Sequence, residues 1–368
     1  TVGDVVYDNL GLYDRHKAMM ALMEIVQWNL PGNHDINFAS PDASFANETF
    51  KSHFGPTYYS FNHGNVHFVA LNNVEYAGDG KSFGNSGYRG FIPEHQLQWL
   101  AQDLANVSAS KLIVIATHIP LISEADDGLS EIYSGPNTEN FSSLLEILEP
   151  FSNIYGIAGH DTSNSWKVEV NHSHGWQGQP WIAHTLAEVR GSGWPKGLTD
   201  ARGVKDSIME DGNPNGFYVL KFDDRNVTPD FIPFPFGPDA TQRLRITLDP
   251  PLSEIEGGSI NRGTAHTDTK IVVNLFDGGI RDLVWAFIDD GGAQAMTYTV
   301  RTDPFVERLE SIYQDTDSEY SPAARSAHIW EMDLPDGLGE GLHTVRIRTE
   351  DEFGQRREGA MTFEIIDQ

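Results

Sequence analysis

At 368 residues, 39% of them apolar, the chain is long enough for two ordinary hydrophobic cores, and a formal net charge of −28 repels nucleic-acid phosphates over most of the surface, which excludes a nucleic-acid-binding role. Zero cysteines exclude disulfides, a zinc–thiolate site and a thiol nucleophile, so any metal must be held by His, Asp, Glu or Asn. No apolar run reaches the roughly 18 residues of a membrane-spanning helix, and half of the negative charge lies beyond residue 245 (24 Asp and Glu against 10 Lys and Arg), so the acidity is global and reads as solubility chemistry.

The opening TVGDVVYDNLGLYDR sets Val2, Val5 and Val6 around a Gly-Asp pair, with Asp4 and Asp8 at the tip. It reads as the end of a buried strand carrying a functional loop. An unpaired edge there leaves backbone groups unsatisfied, so the strand is expected to be paired on both sides, its neighbour supplied by an upstream segment or another chain. Residues 13–27 read as a helix, and HFVALNN (67–73) as a strand. PEHQLQWLAQDLANV places Leu97, Leu100, Ala101 and Leu104 on one helical stripe with Pro93 in the first turn. KLIVIATHIP (111–120) and NIYGIAGHD (153–161) are buried strands ending in polar loops, residues 139–148 a further helix and GFYVLKFDD (216–224) a further strand. Strands and helices interleaved over residues 1–245 imply an α/β (α+β) layered arrangement. FIPFPFGPDATQ (231–242) has three prolines and no period, which marks a boundary. From residue 246 to 368, short alternating segments such as KIVVNLF, LVWAFID, AHIWEMDL and HTVRIRTED, spaced by Gly, Asp and Pro, predict a small all-β sandwich domain.

Four loop tips follow apolar stretches in order: GD at 3–4, PGNHD at 31–35, THIP at 117–120 and GHD at 159–161. Asp4, Asn33, His118 and His160 supply one carboxylate, one amide oxygen and two imidazoles, a four-ligand set for a divalent metal. His34 is Asn33's neighbour in a turn and so points elsewhere; with Asp35 as an orienting carboxylate it suits proton donation to a leaving group. His172 and His174 in NHSHGWQ read as a solvated loop, His184 stands between ligand and structural residue, and Arg190 and Trp194 in EVRGSGWPKG are pocket candidates.

The ordered set resembles the calcineurin-like metallophosphoesterase family, whose motifs run DxH or a variant, GD, GNH with Asp or Glu, a single His, then GHxH. The phrases FGPTYYSFNHGNVHFVALNNVEY, GNPNGFYVLKFDD and GLHTVRIRTEDEFGQ resemble its bacterial branch, in which a catalytic layered sandwich is followed by a small β domain. The resemblance implies hydrolysis of phosphate mono- or diesters with one or two divalent or trivalent metal ions (Mn, Fe, Zn or Ca). Asp4 would bridge two metals, Asn33, His118 and His160 would complete the second site, and His34 would be the catalytic histidine. The implied partner is a small phosphate ester or other anionic substrate, with no nucleic acid and no membrane span, and the expected location is secreted or periplasmic. Two departures stand out: no strand bearing the first motif precedes GD in this sequence, and Thr162 stands where GHxH has its second His. They motivate an alternative, a degenerate phosphoesterase acting as a binding or assembly protein. GDVVY also fits the GDxxY pattern of purple acid phosphatases, which would make Tyr7 an iron ligand. A carbohydrate-binding role for the β domain has only exposed aromatics behind it.

Overall fold

The computed structural model describes residues 1–41, 43–125, 133–135, 137–189, 197–199, 203, 205, 208–234, 243–255, 258–261 and 269–366. The first part of the chain runs α1 (Tyr13–Met20), α2 (Glu48–Phe54), β1 (Tyr59–His63), β2 (Val66–Ala70), β3 (Val74–Tyr76), β4 (Tyr88–Gly90), α3 (Glu94–Leu104), β5 (Leu112–Ala116), β6 (Ser123–Ala125), β7 (Tyr133–Gly135), α4 (Phe141–Leu148), β8 (Ile154–Ala158), β9 (Trp166–Val170), β10 (Trp181–Thr185), β11 (Gly216–Asp223) and β12 (Asn226–Pro233). Six of these strands form one sheet in the order β1-β2-β5-β8-β10-β9. Strands β2, β5, β8 and β10 are parallel, and the outer strands β1 and β9 antiparallel to their neighbours.

Both faces of that sheet are covered, which is why its strands read as continuous apolar runs. Ile113 and Ile115 of β5 face α3 and α4, meeting Leu97, Leu100, Leu104, Leu144 and Leu148. Leu112 and Val114, on the opposite face, meet Phe222 and Val227 of the β11–β12 hairpin. Parallel strands covered this way end together, so the loops after β5 and β8 lie side by side at one edge of the sheet.

The second part runs β13 (Leu244–Asp249), β14 (Ile260–Asn261), β15 (Lys270–Leu275), β16 (Leu283–Ile288), β17 (Gln294–Ala295), β18 (Thr297–Thr302), α5 (Pro304–Tyr313), β19 (Arg325–Asp333), β20 (Gly341–Glu350) and β21 (Arg356–Ile366). A four-stranded sheet (β13-β15-β19-β18) faces a five-stranded one (β14-β21-β20-β16-β17). Alternate residues of both, among them Ile271, Val273, Trp330, Val345, Ile347 and Phe363, share one core.

Three elements differ from the sequence reading. Residues 2–6 form no strand: Gly3 and Asp4 take positive φ (+107° and +52°), which turns the chain where a strand would continue. The strand expected at residues 2–6 is therefore replaced by a turn. Helix α1 ends at Met20, and a single 3-10 turn leads to Glu24 in the left-handed region, which stops the helix expected to reach residue 27. Helix α5 lies among segments read as all β; Asp303 caps it by accepting from the Phe305 N–H, and Pro304 occupies its first turn. Of the proline-rich boundary, Phe231 to Pro233 belong to β12 and residues 235–242 lie outside the described residues.

Candidate metal centre

Two strand ends and two turns bring the four loop tips together. His118 follows β5 and His160 follows β8, and the Gly159 N–H donates to the His118 carbonyl at 3.0 Å. The His118 loop is fixed by Asn73, whose Oδ1 accepts from the His118 and Ile119 N–H groups (both 3.1 Å) while its Nδ2 donates to the Ile119 carbonyl and Thr138 Oγ1. The GD and GNHD turns are clamped by Asp35. Its Oδ2 accepts from the Val5 and Gly32 N–H groups at 3.1 and 2.8 Å, and its Oδ1 from the Tyr13 hydroxyl at 2.9 Å. Glycine is required at both turns: a Cβ on Gly3 would stand 2.3 Å from His118 Nδ1, and one on Gly32 2.0 Å from Asp4 Oδ1.

Asp4, Asn33, His118 and His160 converge. Asn33 Oδ1 lies 2.9 Å from His118 Nε2 and 2.8 Å from His160 Nδ1; the two ring nitrogens are 3.2 Å apart, and His118 Nε2 is 3.4 Å from Asp4 Oδ1. Asp4, His118 and His160 are the one group of at least three His, Asp or Glu among the described residues placed to hold a cation. Donor atoms 2.8–3.4 Å apart are close enough to share one cation. The chemistry of the donors fits as well. His118 Nδ1 lies 2.8 Å from the Val2 carbonyl, which can only accept, so Nδ1 carries the proton and Nε2 turns a lone pair inward. Burial pushes the His118 pKa down to about 4, and burial with the neighbouring His118 does the same for His160, so both rings are neutral at ordinary pH. Asp4 and His160 both hold positive φ (+52° and +69°), conformations of a kind that cost about 1–3 kcal/mol in non-glycine residues and collect at functional sites.

His34 points away from this cluster, as neighbours in a turn do. Its Nδ1 meets Asp8 Oδ1 at 2.8 Å, the Asp8 N–H donates to the His34 carbonyl at 3.2 Å, and the Tyr7 ring stacks on the imidazole at 4.1 Å. The carboxylate against His34 is thus Asp8 and not Asp35, which corrects the sequence reading. The 3-10 turn at Asn33–Asp35 rotates Asp35 into the interior, where burial raises its pKa to about 6 despite the three donors around it. Tyr7, 58% exposed, stacks its ring on His34 and lies outside the cluster of Asp4, Asn33, His118 and His160. His184 is buried between the Tyr155 hydroxyl and Asp277, a structural placement. His174 accepts from the Asn171 N–H in an exposed turn. Thr162 is exposed beside His160. Arg190 and Trp194 lie outside the described residues.

Asp8, Asn73 and Tyr88 were missed as site residues. Tyr88, on β4, sets its ring edge-on to His160 at 5.9 Å, and burial together with the Asp4 carboxylate raises its phenol pKa. Asp8 stood visible at the tip of the opening motif, but nothing in its spacing tied it to a residue 26 positions on.

Among known families, the one described as C terminal of Calcineurin-like phosphoesterase matches residues 184–356. That stretch is similar to the C-terminal domain of calcineurin-like phosphoesterases. The match opens within β10 and takes in the β11–β12 hairpin and most of both C-terminal sheets. Asp4, Asn33, His118 and His160 precede it. No curated protein matches the chain. Among solved structures, CopC from Methylosinus trichosporium OB3b aligns over 30% of this chain and 85% of its own at 14% identity, with a TM-score of 0.18.

Proposed function

We propose that the chain hydrolyses phosphate mono- or diesters at a metal centre held by Asp4, Asn33, His118 and His160, and that its two sheet systems are the catalytic layers and the C-terminal β domain of a calcineurin-like phosphoesterase. The convergence of these four donors, from loops remote in sequence, carries the reading. A bound divalent or trivalent ion supplies Lewis acidity toward the phosphoryl oxygens and toward a water nucleophile. Asp4 and Asn33 offer oxygen donors, and the neutral rings of His118 and His160 offer nitrogen lone pairs. His34, with its Nδ1–H turned to Asp8, hands a proton from Nε2 to the departing alkoxide oxygen. Tyr7 covers one face of that ring and limits its rotation.

The test is the dependence on leaving group. In the metal-loaded protein, His34→Ala is expected to slow an alkyl phosphate by about 10²–10⁴-fold and p-nitrophenyl phosphate far less, because nitrophenolate departs without a proton. Asp8→Asn is expected to follow the same pattern with a smaller loss. Metal content should stay at the wild-type level in both. A metal-loaded wild type that turns over no mono- or diester would end the catalytic reading and leave a binding or assembly role.

A further inference from the structure

The β3–β4 hairpin reaches over the metal centre and is held from behind. Glu75 and Arg89 are cross-strand partners on its outer face, and the Arg89 guanidinium donates to Glu75 Oε2 and Glu139 Oε2, both at 2.6 Å. The rings of Phe83 and Phe91 flank the same guanidinium at 4.4 and 4.5 Å. Side chains alternate across a strand, so pinning Arg89 on one face directs Tyr88 to the other. There Tyr76 and Tyr88, also cross-strand partners, pack on Ile36, Ala46, Val74 and Ile119, the cluster beneath the GNHD and THIP loops.

The two tyrosines use their hydroxyls differently. Tyr76 donates to the Phe38 carbonyl at 3.2 Å. The Tyr88 ring stands edge-on to His160, and among the described residues its hydroxyl makes no hydrogen bond. A tyrosine half-buried for structural reasons alone ordinarily finds a partner for its hydroxyl. One held rigidly beside a ligand cluster, with that donor unspent, is set to meet something that arrives.

We infer that Tyr88 is a substrate-binding residue, its phenol O–H donating to a non-bridging phosphoryl oxygen of an ester seated on the metal centre. The inference rests on the phosphoesterase reading for the identity of the ligand. The Tyr88 ring forms the wall beside His160, and its hydroxyl supplies a hydrogen bond to an anionic oxygen, of the stronger, charge-assisted kind.

The experiment measures inorganic phosphate, the common product, as ligand of the metal-loaded protein, by calorimetry and by product inhibition. Tyr88→Phe keeps the ring and removes the donor. It is expected to weaken phosphate binding by about 10- to 100-fold and to raise KM for p-nitrophenyl phosphate in step, with metal content and melting temperature unchanged. Tyr88→Leu, which also removes the wall, should weaken binding at least as far. An active Tyr88→Phe protein that binds phosphate as the wild type does overturns the assignment of Tyr88 and leaves the phosphoesterase reading standing. A wild type that binds phosphate without turnover, with Tyr88→Phe weakened, supports Tyr88 and overturns catalysis. A metal-loaded wild type that neither binds phosphate nor turns over an ester overturns both.

Discussion

His160→Ala is expected to leave the protein short of metal and to lower phosphoester turnover by more than about 100-fold. Changing groups that merely orient a metal ligand commonly lowers affinity or activity 10- to 100-fold, so removing a donor that itself touches the ion exceeds that range. His160 is the cleaner choice of the two imidazoles. His118 Nδ1 also ties the loop to the Val2 carbonyl, whereas the contacts of His160 Nδ1 among the described residues, Asn33 and His118, lie within the cluster itself. Two measurements check it. Elemental analysis after loading with Mn²⁺ or Zn²⁺ should find less metal in the variant than in the wild type. Added metal at about 100 times its dissociation constant should stabilise the wild type by about 2.7 kcal/mol and the variant by much less. Chelation of the wild type is expected to abolish turnover, and re-addition of metal to restore it. Equal metal content in the two proteins would show that the cluster of Asp4, Asn33, His118 and His160 is not where the ion sits.

What could be seen in the sequence followed from locality. Strands β2, β5 and β8 announced themselves because each is buried on both faces and so lacks polar interruption, and α3 because Leu97, Leu100 and Leu104 recur at helical spacing. The four ligand candidates were legible for a related reason, since each stands where an apolar run gives way to a polar tip. Roles set by partners distant in the chain were not legible. Asp35 is adjacent to His34, but one 3-10 turn sends the two side chains to different places, while Asp8 reaches His34 across 26 positions. Asn73 holds the His118 loop from 45 positions away, and Tyr88 reaches His160 only because Arg89 is pinned behind it. Residues 21–26 misled for another reason. Leu22, Ile25 and Val26 are 75%, 63% and 77% exposed, so an apolar pattern that suggested a buried helical stripe faces outward past the left-handed Glu24.

Asp277→Ala is expected to destabilise the fold by about 3–5 kcal/mol, although it lies in none of the loops that form the candidate metal centre. Asp277 follows β15 and gathers partners from three other elements. Its Oδ1 meets His184 Nε2 on β10 at 2.9 Å and accepts from the Tyr218 hydroxyl on β11 at 2.8 Å, and its Oδ2 faces Lys167 Nζ on β9 at 3.8 Å. Tyr155 on β8 joins through His184 Nδ1 at 2.8 Å. The residue thus ties the six-stranded sheet to the C-terminal sheets through largely buried groups. Removing the carboxylate takes one close counter-charge from the Lys167 ammonium, 5% exposed, and leaves it Glu352 Oε1 at 3.9 Å and the fields of Asp282 and Asp351. Breaking such a network by removing one partner is costly because the buried groups left behind, the His184 and Tyr218 side chains and the Lys167 ammonium, lose their shared carboxylate. Burial alone would raise the Asp277 pKa, but His184 and Lys167 outweigh it and hold the carboxyl well below the usual carboxylate range. Its contribution is therefore complete above the ordinary Asp value of 3.8 and is lost as pH falls below it. Urea unfolding at pH 7 measures the loss for Asp277→Ala, and the gap between variant and wild type should narrow as the pH is taken below that value. A difference under about 1 kcal/mol at pH 7 would mean that the apolar contacts around Tyr218 and Phe276, rather than this ion network, hold the two sheet systems together.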